Sequence, residues 1–252
     1  MNFDRKNEGG DRFPATRISV VDAVRSGDPA RRALAMESLC AAYWKPVYKY
    51  VRLRWNRPAD DARDLTQGFF AELIERGLLE KYDPQKSRLR TFLRVCIDSY
   101  VANENRAAVR IKRGGAFLHV ALDFDAAEGE LGIAVMKAEA IPAPGSLDEF
   151  FEKEWIRSFF GLVLEDLRRL CDRRGRESAF RLFEEYDLAA DESVSYAALA
   201  GRHDMPVTDV TNALSWVRKE FRRITLRRLS ELCGSREEYE REVRALLGRN
   251  AS

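Results

Sequence analysis

Arginine and lysine side chains are concentrated in two segments of this 252-residue chain, and clustered cations of this kind bind phosphate groups. The first segment contains two acidic residues, Asp98 and Glu104, and eight cations. The cations are Lys86, Arg88, Arg90, Arg94, Arg106, Arg110, Lys112 and Arg113. The second surrounds Glu220 with six cations, namely Arg218, Lys219, Arg222, Arg223, Arg227 and Arg228. Acidic residues predominate between them, from Asp123 to Glu154. A solvated helical face explains either segment alone, but the two together indicate two nucleic-acid contacts, although the net charge is only +2.

Residue types that support catalysis or metal binding occur without the spacing that either function needs. The sequence has no glycine-rich phosphate loop, no nucleophile–base combination and no paired-carboxylate motif, so we expect neither an enzyme nor a bound cofactor. Two histidines and four widely separated cysteines predict no metal site and no disulfide framework, which favours a reducing cytoplasm. Neither a signal peptide nor an apolar run of about 20 residues is visible, so no membrane association is expected.

Two helices around a tight turn are predicted between Tyr196 and Arg228. Apolar residues recur there at helical spacing, namely Leu199, Ala200, Met205, Val210, Ala213, Leu214 and Val217. This spacing is typical of a DNA-binding helix–turn–helix, whose second helix enters the major groove, and also of a packed helical hairpin with a solvated basic face. The candidate base-reading and phosphate-binding residues on the second helix are Thr208, Asp209, Thr211, Asn212, Ser215, Arg218, Lys219 and Arg222.

Three helices with apolar stripes are predicted upstream and must position the first basic segment. The first contains Tyr43 and Trp44 and is kinked or interrupted at Pro46. The second begins at Pro58 and the third near Leu89. The arginines of the third helix are expected opposite its apolar stripe, as suits a helix that binds single-stranded nucleic acid. The candidate contacts on this helix and its extension are Arg88, Arg90, Arg94, Tyr100, Asn103, Arg106 and Arg110.

The run from Leu39 to Arg113 resembles region 2 of extracytoplasmic-function (ECF) sigma factors, which give promoter specificity to bacterial RNA polymerase. The resemblance is carried by the Tyr43-Trp44 helix, by ARDLTQGFFAELIERG from Ala62 and by LRTFLRVCIDSYVANENR from Leu89. The helix–turn–helix, with the apolar helix before it, resembles region 4, which reads the minus-thirty-five element. The resemblance implies an all-α protein with two helical domains, joined by a mostly irregular linker.

The roles of these helices in the family assign candidate functions to residues of this chain. The second helix of region 2 docks on the clamp of the largest polymerase subunit, which implies core-polymerase binding by Asp61, Asp64, Gln67 and Glu72. The third helix of region 2 opens the promoter in this family, which implies that the candidate residues from Arg88 to Arg110 contact the minus-ten element. Region 4 reads the minus-thirty-five element, which implies that the candidates from Thr208 to Arg222 contact that element. The implied partners are core polymerase and promoter DNA, and an anti-sigma factor or a regulatory kinase is a further expected partner.

Gly68 departs from the family pattern, which usually has an acidic residue at that position. The clamp contact is therefore expected to be weaker or to be completed differently. Phosphorylation of Thr66 would supply the missing charge, although an ordinary helical role for Thr66 is the simpler explanation.

The predicted organisation has five parts. They are a flexible segment with a short helix (1–29), a region 2-like domain (30–115), an acidic linker (116–146), a region 4-like domain (147–235) and an amphipathic C-terminal helix (236–252). Alternation from Phe117 to Leu122 favours a short strand or hairpin in the linker, and Gly129 and Gly132 are expected to break up its remainder. The alternative function is a helix–turn–helix regulator that acts without core polymerase.

Overall fold

The structure, a computed structural model, describes residues 19–107, 122–137, 146–189 and 193–248, without the side chains of 105–107 and 133–137. Helices account for the regular structure in these ranges, and no strand occurs in them, so the prediction of an all-α fold is confirmed. The helices are α1 Val20–Arg25, α2 Pro29–Arg54, α3 Ala59–Glu75, α4 Leu89–Ala107, α5 Phe124–Lys137, α6 Leu147–Arg174, α7 Glu177–Phe183, α8 Tyr196–Arg202, α9 Val207–Leu232 and α10 Arg236–Leu247. A 3₁₀ turn at Leu78–Lys81 follows α3, and a π-helical turn at Glu184–Leu188 follows α7.

The described residues pack as two compact units. The large unit comprises those within Phe13–Phe159 and Leu229–Ala251, and the small unit comprises those within Phe160–Arg228. The beginning of α6, the end of α9 and the whole of α10 belong to the large unit. No helix in the described ranges has the length and apolar character needed to cross a bilayer.

The helices of the large unit begin and end where local chemistry favours it. Asp28 caps α2 by accepting from the backbone amides of its first turn, and a proline occupies the first helical position. Pro46 lies inside α2 without ending it. Pro58 immediately precedes α3, as predicted, and Gly77 ends that helix in the left-handed conformation with φ 57°.

The core of the large unit forms around α2, whose large apolar residues from Leu39 to Val51 are buried, whereas Leu34 near its beginning is 66% exposed. The stripes of α3 and α4 pack with it, and the beginning of α6 adds aromatic rings. The principal core side chains are Leu39, Tyr43, Val47, Tyr48, Phe69, Phe70, Leu73, Leu89, Leu93, Ile97, Phe151 and Trp155. Burial of these apolar groups is the main source of stability in the unit.

Helix α5 lies within residues 116–146, where the sequence had predicted an irregular linker. Its first residue, Phe124, packs edge-on against Trp44 and Tyr48 of α2, with ring centroids 5.3 and 5.1 Å apart. Gly129 and Gly132 lie within the helix and do not break it. The linker residues 116–121 and 138–145, including most of the expected strand, lie outside the described residues.

Ion pairs explain why the acidic segment is helical and docked. Glu130 accepts from the Nζ atoms of Lys45 and Lys49 at 2.7 Å each, and Glu128 accepts from the Tyr48 hydroxyl at 2.7 Å. Glu128 also pairs with the Arg52 guanidinium. These carboxylates neutralise cations of α2, so the acidic segment of α5 is packed against α2 and is not a fully solvated tether.

The C-terminal helix α10 also packs in the large unit. Its Glu238 is 1% exposed and accepts hydrogen bonds from the Tyr82 hydroxyl at 2.7 Å and from the backbone amide of Leu89 at 2.8 Å. Because Leu89 is the first residue of α4, a carboxylate far along the chain satisfies an amide that the helix itself leaves unpaired. The α10 helix is therefore part of the core around α4.

Candidate nucleic-acid interface

The small unit contains the predicted helix–turn–helix, formed by α8 and the beginning of α9. Ser195 caps α8 by accepting from the Ala198 amide at 3.1 Å. In the turn, Asp204 adopts a left-handed conformation with φ 48°, which aspartate tolerates better than most residues. The Met205 amide then donates to the Ala200 carbonyl at 3.0 Å, which closes the turn. The sequence pattern therefore identified this helix pair correctly.

A contiguous apolar face joins the two helices. Its fully buried or nearly buried members are Leu199, Ala200, Val210, Leu214 and Val217, all of which the spacing predicted to be apolar contacts. The burial of this stripe fixes which side of α9 faces the solvent.

The solvent-facing side of α9 is polar and carries little charge. The exposed candidates are Thr208, Asp209, Thr211, Asn212, Ser215 and Lys219. Spacings of three and four residues place most of these side chains on one helical face. Hydroxyl and amide groups can hydrogen-bond to base edges in the major groove, and the lysine can pair with a phosphate. This surface, which we call the α9 face, is suited to reading duplex DNA.

Arg218 was predicted to contact phosphate, and in the structure its guanidinium is held by neighbouring side chains. Its guanidinium forms a two-pronged pair with Asp187, at 2.9–3.1 Å, and donates to the Tyr196 hydroxyl at 2.9 Å. It also lies over the Tyr186 ring, 5.4 Å from its centroid. Hydrogen bonding to Asp187 raises the pKa of Arg218 above its ordinary value. Arg218 therefore ties α9 to α8 and to the π-helical turn, while Arg222 is half-buried.

The π-helical turn that holds Arg218 is an acidic clamp on the helix–turn–helix, and sequence reasoning missed it. Besides Asp187, its Glu185 pairs with Arg202 at 3.2 Å and with the His203 ring at 2.8 Å. Arg202 ends α8 and His203 begins the tight turn, so one acidic segment contacts α8, the turn and α9. The only sequence signal was the density of acids in EEYD, which by itself suggests a solvated helix face.

In the large unit, Arg90 was a candidate for minus-ten DNA, but it is 3% exposed. Its guanidinium pairs with Glu152 and Glu242 and lies 4.5 Å from the centroid of the Trp155 ring. Arg90 precedes Leu93 by three residues and therefore lies on the buried face of α4 rather than opposite it. In this arrangement the Arg90 side chain offers almost no exposed surface to a phosphate, whereas the sequence pattern had predicted a DNA contact there.

The neighbouring arginines of α4 are also paired with carboxylates. Arg94 lies 3.0 Å from Asp148 and 3.3 Å from Asp98, and only 21% of its side chain is exposed. Arg88 lies 3.4 Å from both Glu152 and Glu242. The positive charge that the sequence concentrates in the first half of α4 is therefore largely neutralised by acids from α4, α6 and α10.

The remaining minus-ten candidates divide into three groups. Tyr100 is 8% exposed, and burial raises its pKa, so its ring is not available for stacking on a base in this arrangement. Asn103 is exposed. The backbone of Arg106 lies near the end of α4, but its side chain, like the whole of Arg110, lies outside the described residues. Among the described side chains of α4, the exposed ones are Thr91, Val95, Ser99, Asn103 and Glu104.

The core-polymerase candidates lie on α3, and three of them are exposed. Asp61, Asp64 and Gln67 recur at three-residue spacing, which places them along one side of the helix. Glu72 is half-buried and pairs with Arg76 at 3.3 Å. We call the exposed side formed by Asp61, Asp64 and Gln67 the α3 face.

Thr66 lies on the opposite side of α3 and is fully buried. Its hydroxyl donates to the Ala62 carbonyl at 2.7 Å within the helix. A kinase cannot reach this hydroxyl in the folded chain, so phosphorylation of Thr66 does not explain how the charge absent at Gly68 is replaced.

Groups that could support covalent or metal chemistry are not assembled in the described ranges. No cluster of histidine, cysteine, aspartate and glutamate there is suited to a metal ion. Burial raises the pKa of Cys40 to about 12 and the pKa values of Cys96 and Cys171 to about 11, so these thiols are protonated at neutral pH. Comparisons with protein-family models, with curated proteins and with solved structures find no match for this chain.

Proposed function

We propose that this protein is a sigma factor, which binds core RNA polymerase and directs it to promoter DNA. The observation that carries the proposal is the α9 face, a polar helical surface presented by a well-formed helix–turn–helix. Its exposed hydroxyl and amide groups suit direct readout of the major groove. The resemblance of the upstream helices to region 2 of ECF sigma factors adds the polymerase to the proposal.

The α3 face supports the proposed docking on polymerase. Asp61, Asp64 and Gln67 are exposed on a helix whose opposite side is anchored by Phe69, Phe70 and Leu73 in the core. A rigid helix that presents acidic and amide groups suits a partner surface of complementary charge. The proposed minus-thirty-five reader is the α9 face, and among the minus-ten candidates Asn103 is exposed.

A helix–turn–helix regulator that acts without polymerase remains the second candidate. One observation favours it: Arg90 and Tyr100 are buried, and Arg88 and Arg94 are paired with carboxylates. Among the described side chains of α4, no cation is left free of carboxylate partners, as a melting helix would need. The two functions differ in whether core polymerase binds.

Affinity capture of core polymerase tests the proposal. The full chain should retain core polymerase, and Asp64→Arg should weaken that retention because it reverses a charge on the α3 face. Glu37→Arg makes the same charge change at an exposed position of α2 and should have no effect. If the full chain binds duplex DNA but captures no core polymerase, the regulator is the correct function.

A further inference from the structure

The turn between α6 and α7 brings a basic segment against the recognition helix. The guanidinium of Arg176 lies over the Trp216 ring of α9, 4.5 Å from its centroid. Trp216 is adjacent to Ser215 in sequence and one helical turn from Asn212 and Lys219, which belong to the α9 face. The Arg176 side chain therefore lies at the edge of the surface that we propose reads DNA.

The geometry of this turn is fixed by a C-terminal helix cap. Gly175 adopts a left-handed conformation with φ 61°, its amide donates to the Asp172 carbonyl at 3.2 Å, and the Arg176 amide donates to the Cys171 carbonyl at 2.9 Å. This is the Schellman arrangement of hydrogen bonds. Because Cys171 is fully buried, the turn is held directly against the core of the small unit. The arginines that flank the glycine are therefore presented from a defined backbone.

Three arginines of this segment differ in their surroundings from most other arginines of the small unit. Arg173, Arg174 and Arg176 are exposed, and none of them lies within ion-pair distance of a carboxylate in the described part of the chain. In contrast, Arg168 pairs with Glu184 at 2.7 Å, and Arg218 pairs with Asp187. Asp172 and Glu177 flank the three arginines, which leaves the segment from Asp172 to Glu177 with a net charge of +1.

We propose that Arg173, Arg174 and Arg176, which we call the arginine turn, bind the phosphate backbone of duplex DNA beside the groove that α9 enters. The proposal rests on the proposed DNA-binding role of the α9 face and adds a second contact to it. The Trp216 ring contacts the Arg176 guanidinium, whose N–H groups have no carboxylate partner within the described residues and can donate to a phosphate. Guanidinium groups suit this contact because they can donate two parallel hydrogen bonds to phosphate oxygens.

Salt-dependent binding of the full chain to DNA tests this inference, because phosphate contacts set the slope of log affinity against log salt concentration. The probe is a fluorescent duplex of about 30 base pairs of mixed sequence, followed by anisotropy. In the triple variant Arg173→Ala/Arg174→Ala/Arg176→Ala, the slope should decrease by about 2–3, close to 0.9 per phosphate contact. Arg176→Lys should retain most of the slope, because it retains the charge.

Two control variants separate this inference from the proposed function. Arg244→Ala removes one cation from an exposed position of α10 in the other unit and should leave the slope unchanged. Asn212→Ala/Lys219→Ala alters the α9 face and should weaken binding. If that variant binds weakly while the triple variant keeps the wild-type slope, the arginine turn makes no phosphate contact and the proposed function stands. If the wild-type chain shows no salt-dependent binding, both proposals are overturned.

Discussion

The Tyr100 hydroxyl occupies the space that a Cβ atom on Gly68 would need. Gly68 lies on α3 and Tyr100 on α4, so this contact is a close approach of two neighbouring helices. Tyr100 is 8% exposed and its ring packs against Phe69, with centroids 6.0 Å apart, so the ring has little freedom to move. A larger side chain at position 68 is therefore excluded by the tyrosine.

We predict that the effect of Gly68→Ala on stability changes sign with the residue at position 100. In the wild-type chain the added methyl group should destabilise by about 1–3 kcal/mol, as overpacking does. In a Tyr100→Phe background the hydroxyl is gone, and the higher helix propensity of alanine should stabilise by about 0.5–1 kcal/mol. Urea unfolding of the wild type, the two single variants Gly68→Ala and Tyr100→Phe, and the double variant measures this coupling. A stabilising Gly68→Ala in the wild-type background would show that the two side chains do not compete for space.

Glu242 is predicted to stabilise the large unit through the buried arginine that it pairs with. Glu242→Ala would leave the Arg90 guanidinium buried with one partner fewer, which should cost about 3–5 kcal/mol of unfolding free energy. The matched control is Glu240→Ala on the same helix, which removes a surface pair with Arg236 and should cost about 0.5 kcal/mol or less. Similar losses of unfolding free energy in Glu242→Ala and Glu240→Ala would contradict a stabilising role for the buried Arg90–Glu242 pair. Denaturant unfolding at neutral pH is the measurement.

The docking of α5 on α2 is predicted to depend on pH. Hydrogen bonds from Arg52 lower the pKa of Glu128. Burial alone would raise the pKa of Glu130, but hydrogen bonds from Lys45 and Lys49 outweigh this effect and lower it. A lowered folded-state pKa stabilises the fold above the unfolded-state pKa of about 4.3, and this stabilisation is lost as the pH falls through the folded-state pKa.

The variant Glu128→Gln/Glu130→Gln tests this dependence because it removes both charges without removing the side chains. The wild-type chain should be more stable than the variant at pH 7, and the difference should disappear as the pH falls below about 4. Chemical unfolding at a series of pH values measures the difference. A difference that is constant with pH would mean that these carboxylates do not stabilise α5 through their charge.

The acidic clamp on the helix–turn–helix is predicted to contribute to the stability of the small unit. Asp187→Ala should destabilise it by about 1–2 kcal/mol, because the two-pronged pair with Arg218 is lost. The loss is modest because the Arg218 side chain is 40% exposed and solvent screens the pair. Glu184→Ala removes the single pair with Arg168 from the same turn and should cost less. Equal thermal stability of Asp187→Ala and the wild type would contradict the clamp.

Local sequence signals were sufficient for the helices whose apolar spacing is regular. The stripes of α2, α3 and α4 and the small-residue contact at Ala200 follow the 3.6-residue period, and Pro58 and Gly77 mark the ends of α3. These features depend on residues close in sequence, so a single sequence is enough to predict them.

The features that sequence reasoning missed depend on partners far along the chain. Arg90 is buried because Glu152 and Glu242 pair with it, and no local pattern predicts pairs between residues 62 and 152 positions apart. Helix α5 forms despite its two glycines because its acids meet cations of α2. Local composition indicated a surface position for Arg90 and irregular structure for the segment of α5. In both cases contacts with residues distant in sequence determined the structure instead.

Reconstituted transcription tests the central claim most directly. Core polymerase is combined with the full chain and a library of templates whose upstream sequence is randomised, and the transcripts are sequenced. The sigma-factor account predicts transcripts that require the chain and share upstream elements, and fewer of them with Asn212→Ala/Lys219→Ala. If the chain binds the templates but adds no transcripts beyond those of core polymerase alone, the account is contradicted.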